Sequence, residues 1–561
     1  MPPLLTIKNL QVTFSNKGIK HTVVNGLNFS IEKGKLTAIV GESGSGKSIT
    51  ALSLLQLLPP RASAKGEIIF CPNETGINLM DLETTKMNTI RGNGISMIFQ
   101  EPMTSLNPVL TCGNQVMEVL IKHKRISKKE ARQKTVDLFK KTGLPNPEQI
   151  LKRYPHQLSG GQKQRIMIAM AISCNPALLI ADEPTTALDV TVQKNILALL
   201  KELQMQNSMA VILITHDLGL VSDVADDIIV MQNGTIAEYG NAQKILYHPQ
   251  HDYTKLLLAS RPAIQKRSSS LLQPSLPENT ASLPGEKRPA YALEVKNLWV
   301  KYAEKKTLWG KIRVSKTVVQ DVSFYVNQNE TIGLVGESGC GKTTLGRAIL
   351  GLIKPSAGEI FLNGKNLAEI PGHSKKLISK NLQVVFQDPY GSLNPKLTIA
   401  EALTEPMKVH GLESNKKQRV DKAVMLLEKV NLKADYLNRY PHQFSGGQRQ
   451  RICIARALSV DPSFIIFDES VSALDVSIQL NMLQLIDELK NSQQFTSIFI
   501  SHDLSVVHYI SNRIMVMHQG KIVETGTADE IIYNPKMAYT QQLIDAIPGK
   551  NLSKQQYFRN P

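Results

Sequence analysis

The chain of 561 residues is built from two similar halves. GESGSGKS at 41–48 recurs as GESGCGKT at 336–343, and RYPHQLSGGQKQRI at 153–166 recurs as RYPHQFSGGQRQRI at 439–452. From the second element onward the offset between the copies stays at 286 residues, the difference between 439 and 153. A repeat of this length predicts two homologous domains rather than a solenoid of many short units.

The segment between the halves differs from both of them in composition. Residues 261–289 read RPAIQKRSSSLLQPSLPENTASLPGEKRP, which is rich in Ser, Pro and Lys and has no apolar periodicity. Such a composition is typical of a flexible tether, although a compact loop packed on one domain is the alternative. We predict a first domain over 4–260, a linker over 261–290, a second domain over 291–548 and a C-terminal tail over 549–561.

Composition narrows the class of protein. The chain is 42% hydrophobic and 20% charged, which is typical of a soluble globular protein, and alternating helical and strand segments predict α/β domains. Its 65 basic and 48 acidic residues give a net charge of +17, which favours polyanionic partners such as nucleotides, nucleic acid or an anionic membrane face. The longest apolar stretch, 51–60, is much shorter than the ~20 residues that span a bilayer, and the N-terminal sequence has no signal-peptide pattern.

The two glycine-rich elements have the form G-x-x-x-x-G-K-[ST]. Each follows an apolar, strand-like run and opens a helix-forming stretch, the context in which this pattern binds phosphate. We expect Lys47 and Lys342 to reach the β- and γ-phosphates of a nucleotide, and Ser48 and Thr343 to hold Mg²⁺. The other residues predicted to bind ATP here are Gly41, Glu42, Ser43, Gly44, Ser45, Gly46, Gly336, Glu337, Ser338, Gly339, Cys340 and Gly341.

An acidic pair ends a second apolar strand in each half. Asp182 and Asp468 suit the support of Mg²⁺, and the adjacent Glu183 and Glu469 are placed to polarise an attacking water. A histidine follows another apolar strand 34 residues past each aspartate. We predict that these histidines, His216 and His502, contact the γ-phosphate.

The SGGQ elements at 159–162 and 445–448 indicate a second kind of phosphate-binding site, at the start of a helix. Ser159 and Ser445 can cap helices whose N-terminal N–H groups attract a phosphate. Within one domain the glycine-rich loop already holds the nucleotide, so we expect each SGGQ to serve the nucleotide bound by the other half. The residues concerned are Ser159, Gly160, Gly161, Gln162, Ser445, Gly446, Gly447 and Gln448.

The order of these motifs resembles that of the ABC-transporter ATPases. The resemblance implies two tandem P-loop NTPase domains, each with a RecA-like core, an antiparallel β subdomain and a helical signature subdomain. It also implies that Gln100 and Gln387 sense Mg²⁺, and that Phe14 and Tyr302 stack on adenine, although Phe14 also fits an ordinary strand-end aromatic. Further motifs that match are the D-loops at 187–189 and 473–475.

QEPMTSLNPV at 100–109, QDPYGSLNPK at 387–396 and the endings at 248–260 and 534–548 resemble the peptide-importer branch, whose members handle oligopeptides, dipeptides, glutathione, nickel or microcin-like peptides. This implies an energy-coupling ATPase that uses ATP and Mg²⁺. It also implies two transmembrane permease subunits, an extracytoplasmic solute-binding protein, and a peripheral position on the cytoplasmic face of the bacterial inner membrane.

Two further expectations concern absences. Several members of that branch carry a cysteine-rich segment after the first ATPase core, whereas 261–290 contains no cysteine, so we predict no iron–sulfur cluster. The alternative function is a soluble twin ATPase that acts on ribosomes or nucleic acid, which the +17 charge favours. Such proteins usually have a long charged helical linker or CxxC zinc modules, and this chain has neither pattern, so we predict no nucleic-acid partner.

Overall fold

The computed structural model describes residues 2–16, 19–73, 75–100, 105–186, 188–260, 291–306, 312–369, 375–472 and 474–550. The predicted linker, Ala187 and Ala473 of the D-loops, and residues 551–561 of the predicted tail lie outside these ranges. The chain divides into two compact units, one mainly of Met1–Arg261 and the other mainly of Pro262–Leu474 and Ile478–Ile547.

The first unit contains two sheets. An antiparallel sheet has the order β2-β1-β4-β5, and a six-stranded sheet has the order β10-β9-β3-β8-β7-β6, in which only β10 is antiparallel to its neighbour. The strands are β1 Leu5–Asn16, β2 Ile19–Ile31, β3 Leu36–Val40, β4 Ala62–Phe70, β5 Ile77–Asn78, β6 Ile95–Ile98, β7 Leu178–Asp182, β8 Ala210–Thr215, β9 Asp227–Gln232 and β10 Thr235–Asn241.

Helices connect the parallel strands of this sheet and form a separate helical group between β6 and β7. They are α1 Lys47–Leu54, α2 Thr84–Ile90, α3 Cys112–Lys124, α4 Lys128–Lys141, α5 Pro147–Ile150, α6 Gly160–Ile172, α7 Val190–Asn207, α8 Leu218–Val221, α9 Ala242–Tyr247 and α10 Asp252–Ala259.

The second unit repeats this arrangement, with sheets in the order β12-β11-β14-β15 and β16-β17-β18-β13-β19-β20. Its strands are β11 Leu293–Lys306, β12 Ile312–Val326, β13 Thr331–Val335, β14 Ala357–Leu362, β15 Lys365–Asn366, β16 Leu382–Val385, β17 Phe464–Asp468, β18 Thr496–Ser501, β19 Arg513–His518 and β20 Lys521–Thr527. Its helices are α11 Lys342–Ile349, α12 Lys375–Asn381, α13 Pro389–Ser392, α14 Ile399–His410, α15 Lys416–Lys429, α16 Gly446–Leu458, α17 Val476–Gln493, α18 Leu504–Ile510, α19 Ala528–Tyr533 and α20 Ala538–Asp545.

The parallel strands are mostly apolar because both faces of the sheet are covered. Successive side chains of a strand point to opposite faces. Accordingly, Ile180 and Ile212 pack in the cluster that includes the antiparallel sheet, whereas Leu179 and Val211 pack in the cluster that includes the helical group. The parallel direction places the carboxyl ends of β3, β7 and β8 at one edge of the sheet, and the polar motifs follow these ends.

Within the described ranges, no helix is both long enough and apolar enough to cross a membrane.

Candidate functional site

The two glycine-rich loops each leave an interior strand of a six-stranded sheet and enter a helix. In the first unit β3 ends at Val40 and α1 begins at Lys47. Gly41 must lack a side chain, because a Cβ there would lie 2.2 Å from the carbonyl oxygen of Met231. Gly336 is in the same position, with its Cβ 2.2 Å from the carbonyl oxygen of Met517. The loops therefore fold tightly against the neighbouring strand.

The lysine of each loop is buried and bonded to the loop itself. The Lys47 Nζ donates to the carbonyl oxygens of Gly41 and Glu42 at 2.7 and 2.8 Å, and burial lowers its pKa. No side chain caps α1, because Gly46 occupies the N-cap position. A buried ammonium beside free N–H groups at a helix start forms a favourable site for an anion. In the second unit the Lys342 Nζ makes the equivalent bonds, at 2.7 and 2.9 Å.

A hydroxyl of each loop is bonded to the aspartate at the end of a neighbouring strand. The Ser48 Oγ donates to Asp182 at 3.0 Å, and the Thr343 Oγ1 donates to Asp468 at 3.1 Å. Burial raises the pKa of Asp182 to about 6, although the Ser48 hydrogen bond lowers it in part, and burial likewise raises the pKa of Asp468. Each half thus brings together two oxygen atoms that can act as metal ligands, in a site that is partly shielded from water.

The glutamate after each aspartate has an unusual backbone. Glu183 and Glu469 have φ angles of 45° and 48°, in the left-handed region that residues with a side chain rarely adopt. In each copy the glutamate N–H donates to a carbonyl of the adjacent strand, that of Ile214 at 3.0 Å or Ile500 at 2.9 Å. Strain retained in both halves at the same residue is typical of a functional site.

In the first unit, Glu183 is the centre of a polar network. Its carboxylate accepts hydrogen bonds from the Gln100 Nε2 at 3.1 Å and the Thr186 Oγ1 at 2.9 Å, and the His216 Nδ1 lies 3.2 Å away. Burial opposes ionisation, but His216, Thr186 and Lys47 lower the pKa of Glu183 to about 2. Burial also opposes the charged form of His216, but Glu183 raises the pKa of that imidazole above its usual value. The glutamate is therefore held as a carboxylate.

The second unit assembles the same network. The Gln387 Nε2 donates to Glu469 at 2.8 Å, and the His502 Nδ1 lies 3.6 Å from the same carboxylate. Burial opposes ionisation of Glu469, but the nearby imidazole of His502 lowers its pKa. In this structure both glutamines contact the glutamate. Their predicted contact with Mg²⁺ stays a prediction.

The SGGQ elements form helix starts with reciprocal caps. The Ser159 Oγ accepts from the Gln162 N–H at 3.3 Å, and the Gln162 side chain accepts from the Ser159 N–H at 3.2 Å. Ser445 and Gln448 do the same at 3.3 and 3.1 Å. Among the hydrogen bonds of the described residues, none joins these serines to the glycine-rich loop of their own half. Within the described residues, the serines of the SGGQ elements therefore take no part in the network of their own half.

The predicted adenine contacts lie at the ends of antiparallel strands. Phe14 of β1 is half-buried against the core cluster that includes the antiparallel sheet, whereas Tyr302 of β11 is 40% exposed. Packing accounts for Phe14 in part, and the exposed ring of Tyr302 is available for stacking. Both assignments stay predictions.

Sequence reasoning missed two tyrosines that reach the glycine-rich loops. The Tyr253 hydroxyl accepts a hydrogen bond from the Glu42 N–H at 3.1 Å, and the Tyr539 hydroxyl accepts one from the Glu337 N–H at 3.0 Å. The available signal was the repeat itself, since a Tyr-Thr pair stands at 253 and again 286 residues later at 539.

Comparison with known proteins matches the sequence to two family models. The model described as ABC transporter matches residues 24–186 and 319–472. The model described as oligopeptide/dipeptide transporter, C-terminal region, matches 237–286 and 523–559. Each model matches once in each half, so the duplication includes the C-terminal region as well as the core.

Curated relatives are similar along nearly the whole chain. The glutathione import ATP-binding protein GsiA of Pectobacterium atrosepticum is 42% identical over 567 residues, which cover 99% of this chain and 91% of that protein. GsiA of Escherichia coli K12 is 42% identical over 569 residues, which cover 98% and 90%. Among solved structures, the dimeric ATP-binding cassette MJ0796 bound to ADP and Pi is 30% identical, with a TM-score of 0.39, over 42% of this chain and 98% of that one.

Proposed function

Since this chain belongs to the family of ABC transporter ATP-binding proteins, we propose that it is the energy-coupling subunit of an importer for glutathione or related short peptides. Membership confirms the predicted tandem ABC ATPase domains and the predicted ATPase activity. The observation that carries the choice of solute is the similarity to GsiA at 42% identity over 99% of the chain. The second family model, which matches in both halves, supports the peptide-like class.

In each half, different residues bind the phosphates, activate the attacking water and orient the glutamate. Lys47 and the free N–H groups of α1 bind the phosphates, and Glu183, kept as a carboxylate by His216, accepts a proton from the attacking water. Gln100 holds the second oxygen of the glutamate and limits its rotation. Lys342, Glu469, His502 and Gln387 have these roles in the second half, and His216 and His502 also contact the γ-phosphate once it is bound.

The oxygen atoms available as ligands in each site are of the kind that binds Mg²⁺. A hydroxyl and a buried carboxylate lie 3.0 Å apart at Ser48 and Asp182, and 3.1 Å apart at Thr343 and Asp468. Mg²⁺ prefers hard oxygen ligands and is commonly held by few protein groups together with phosphates. When bound, the ion neutralises charge on the phosphate oxygens. These four residues, with Gln100 and Gln387, are the proposed ligands.

The two halves share their ATP sites in this proposal. The signature elements 159–162 and 445–448 each expose an N-terminal helix end that their own loop does not use. Each therefore completes the site of the opposite half, and ATP binding draws the halves together while hydrolysis releases them. The domain bounds 4–260 and 291–548, the linker 261–290 and the tail 549–561 belong to this proposal.

An ATP-binding subunit of an importer acts on membrane permeases, and its peripheral association with the membrane follows from that role. We propose two permease subunits, an extracytoplasmic solute-binding protein, and a site of action at the cytoplasmic face of the bacterial inner membrane. The proposal includes no nucleic-acid partner and no iron–sulfur cluster.

The test is transport by the assembled system. The full chain is reconstituted in proteoliposomes with the two proposed permease subunits, and uptake of labelled glutathione is measured with ATP and with ADP, in the presence and absence of the solute-binding protein. Uptake that needs ATP and the solute-binding protein, and that unlabelled glutathione suppresses more than unlabelled dipeptides, supports the proposal. ATP hydrolysis without glutathione uptake would contradict the choice of solute.

A further inference from the structure

Helix α10 lies in the segment that matches the C-terminal region of the oligopeptide/dipeptide transporters, yet it contacts the phosphate-binding loop. Its Tyr253 hydroxyl accepts the N–H of Glu42 at 3.1 Å, across 211 residues of sequence. Helix α20 repeats the contact, with Tyr539 and the N–H of Glu337 at 3.0 Å across 202 residues. The same long-range hydrogen bond occurs in both halves. This indicates that it contributes to the phosphate-binding loop that each half contains.

The residue whose N–H each tyrosine accepts also holds the loop lysine, through its carbonyl oxygen. The carbonyl oxygen of Glu42 accepts from the Lys47 Nζ at 2.8 Å and from the Ser45 N–H at 3.1 Å. In the second half the carbonyl oxygen of Glu337 accepts from the Lys342 Nζ at 2.9 Å. The tyrosine thus fixes the N–H of the same residue whose carbonyl orients the ammonium that will meet the phosphates.

The helices that carry the tyrosines are themselves anchored to the sheet. Glu238 of β10 accepts the N–H groups of Gln250 and His251 at 2.9 and 3.2 Å, just before α10 begins. Glu524 of β20 accepts those of Lys536 and Met537 at 2.7 and 3.2 Å, just before α20. A carboxylate that receives two backbone donors restricts the helix start in both copies.

The Tyr253 side chain is well suited to a fixed contact. The residue is only 6% exposed, and burial raises the pKa of its hydroxyl, which stays protonated at neutral pH. If the hydroxyl were removed, the partly buried Glu42 N–H would lose its acceptor, which costs stability and loosens the loop.

We infer that Tyr253 and Tyr539 are positioning residues for ATP binding, and that the C-terminal segment of each half is a working part of its nucleotide site. Each tyrosine holds the first peptide of the loop in the orientation that presents Lys47 or Lys342 to the phosphates. This inference rests on the assignment of the two loops as ATP sites.

The test replaces the hydroxyl alone, with Y253F, Y539F and the double variant in the full chain. Binding of a fluorescent ATP analogue is expected to weaken about tenfold at the altered half. The KM for ATP is expected to rise by a similar factor while kcat at saturating ATP changes less than twofold, because the phenylalanine leaves the carboxylate network intact. Hydrogen exchange of the Glu42 amide is expected to become faster in Y253F.

The matched control is Y239F. Tyr239 of β10 also loses one hydroxyl hydrogen bond, to the carbonyl oxygen of Ser30 at 3.2 Å, but it is 43% exposed and does not contact the loop. The inference is overturned if Y253F and Y539F bind nucleotide as the unaltered chain does, or if Y239F weakens binding equally. Failure of the unaltered chain to bind the analogue would instead contradict the assignment of the loops.

Discussion

In the first half Lys35, just before β3, pairs with Asp227 at the start of β9, at 3.2 Å. In the second half the same two positions carry the opposite charges, Glu330 before β13 and Arg513 at the start of β19, at 2.5 Å. The attraction between the two strands is retained although both residues have changed sign. The Glu330 side chain is 4% exposed against 47% for Lys35 at the same position, whereas Arg513 and Asp227 are both 15% exposed.

The segment after the predicted Mg²⁺-sensing glutamine differs more. In the second half, Arg456 of α16 donates to the carbonyl oxygen of Ser392 at 2.7 Å, and the Arg449 guanidinium lies 3.4 Å from the ring centre of Tyr390. The position that matches Arg456 in the first half, 286 residues earlier, is Met170, which cannot donate a hydrogen bond. The hydrogen bond that Arg456 makes therefore cannot be made by the residue at the matching position of the first half.

The carboxylate networks differ much less than these supports. Both halves have a glutamate in the left-handed conformation, bonded to a glutamine and paired with a histidine. The ion pair shows that a supporting contact can be replaced when its geometry is preserved, whereas the lysine, aspartate, glutamate, glutamine and histidine proposed to act on ATP are identical in the two halves. We therefore expect both sites to hydrolyse ATP.

The largest expected effect is that of removing both glutamate charges. E183Q combined with E469Q should lower the ATPase rate by about 10²- to 10⁴-fold, because neither site keeps a carboxylate to accept the proton. Nucleotide binding should persist, since Lys47 and Lys342 are unaltered. The rates of the two single variants measure how equal the halves are. A single variant as inactive as the double one would show that one site does nearly all the hydrolysis.

A second prediction examines which residues share a site. If Lys47 and Ser445 serve one ATP, K47A with S445R damages the same site twice and should be little worse than either single variant. K47A with S159R damages both sites and should bring ATPase activity to background, because arginine obstructs a helix end meant for phosphate. The measurement is the ATPase rate of the assembled transporter.

The order of those two double variants decides the question, provided that the single variants keep measurable activity. Activity retained by K47A with S159R but lost by K47A with S445R would mean that each half uses its own signature helix. The proposed sharing of sites would then be wrong for this protein.

Features that depend on residues close together in the sequence could be predicted, whereas features that depend on distant residues could not. The glycine-rich loops, the strand-end carboxylates and the caps at Ser159 and Ser445 are local patterns, and the sequence indicates them directly. The contacts between Glu183, Gln100 and His216 needed the order of the strands, which brings distant residues to one edge. The bond from Tyr253 to Glu42 was missed because no local pattern relates a helix near residue 250 to a loop at residue 41.

The backbone of Glu183 is a further feature beyond sequence reasoning. Its φ of 45° is unfavourable for a residue with a side chain, so propensity predicts a different conformation. The surrounding sheet and the bond from its N–H to Ile214 impose it. The sequence did predict the identity of the acid but could not predict the orientation that directs its carboxylate to the histidine.

The smallest expected effect concerns the ion pairs of opposite sign. E330Q should destabilise the second unit by about 3 kcal/mol, because it leaves the Arg513 charge largely buried without its partner. Glu330 also accepts the Asn327 N–H at 2.8 Å, and glutamine can keep that bond. K35Q should cost the first unit at most about 1 kcal/mol, since the Lys35 ammonium that it removes is half exposed and water already screens its attraction to Asp227.

Hydrogen exchange of the β3 and β13 amides in the full chain reports the two units separately. K8Q is the control for an exposed pair, because Lys8 and Glu67 are both more than half exposed at 3.5 Å, and it should change neither strand. Equal costs for E330Q and K35Q would show that burial does not distinguish the two pairs. In that case the two ion pairs, although opposite in sign, would stabilise the contact between their strands equally.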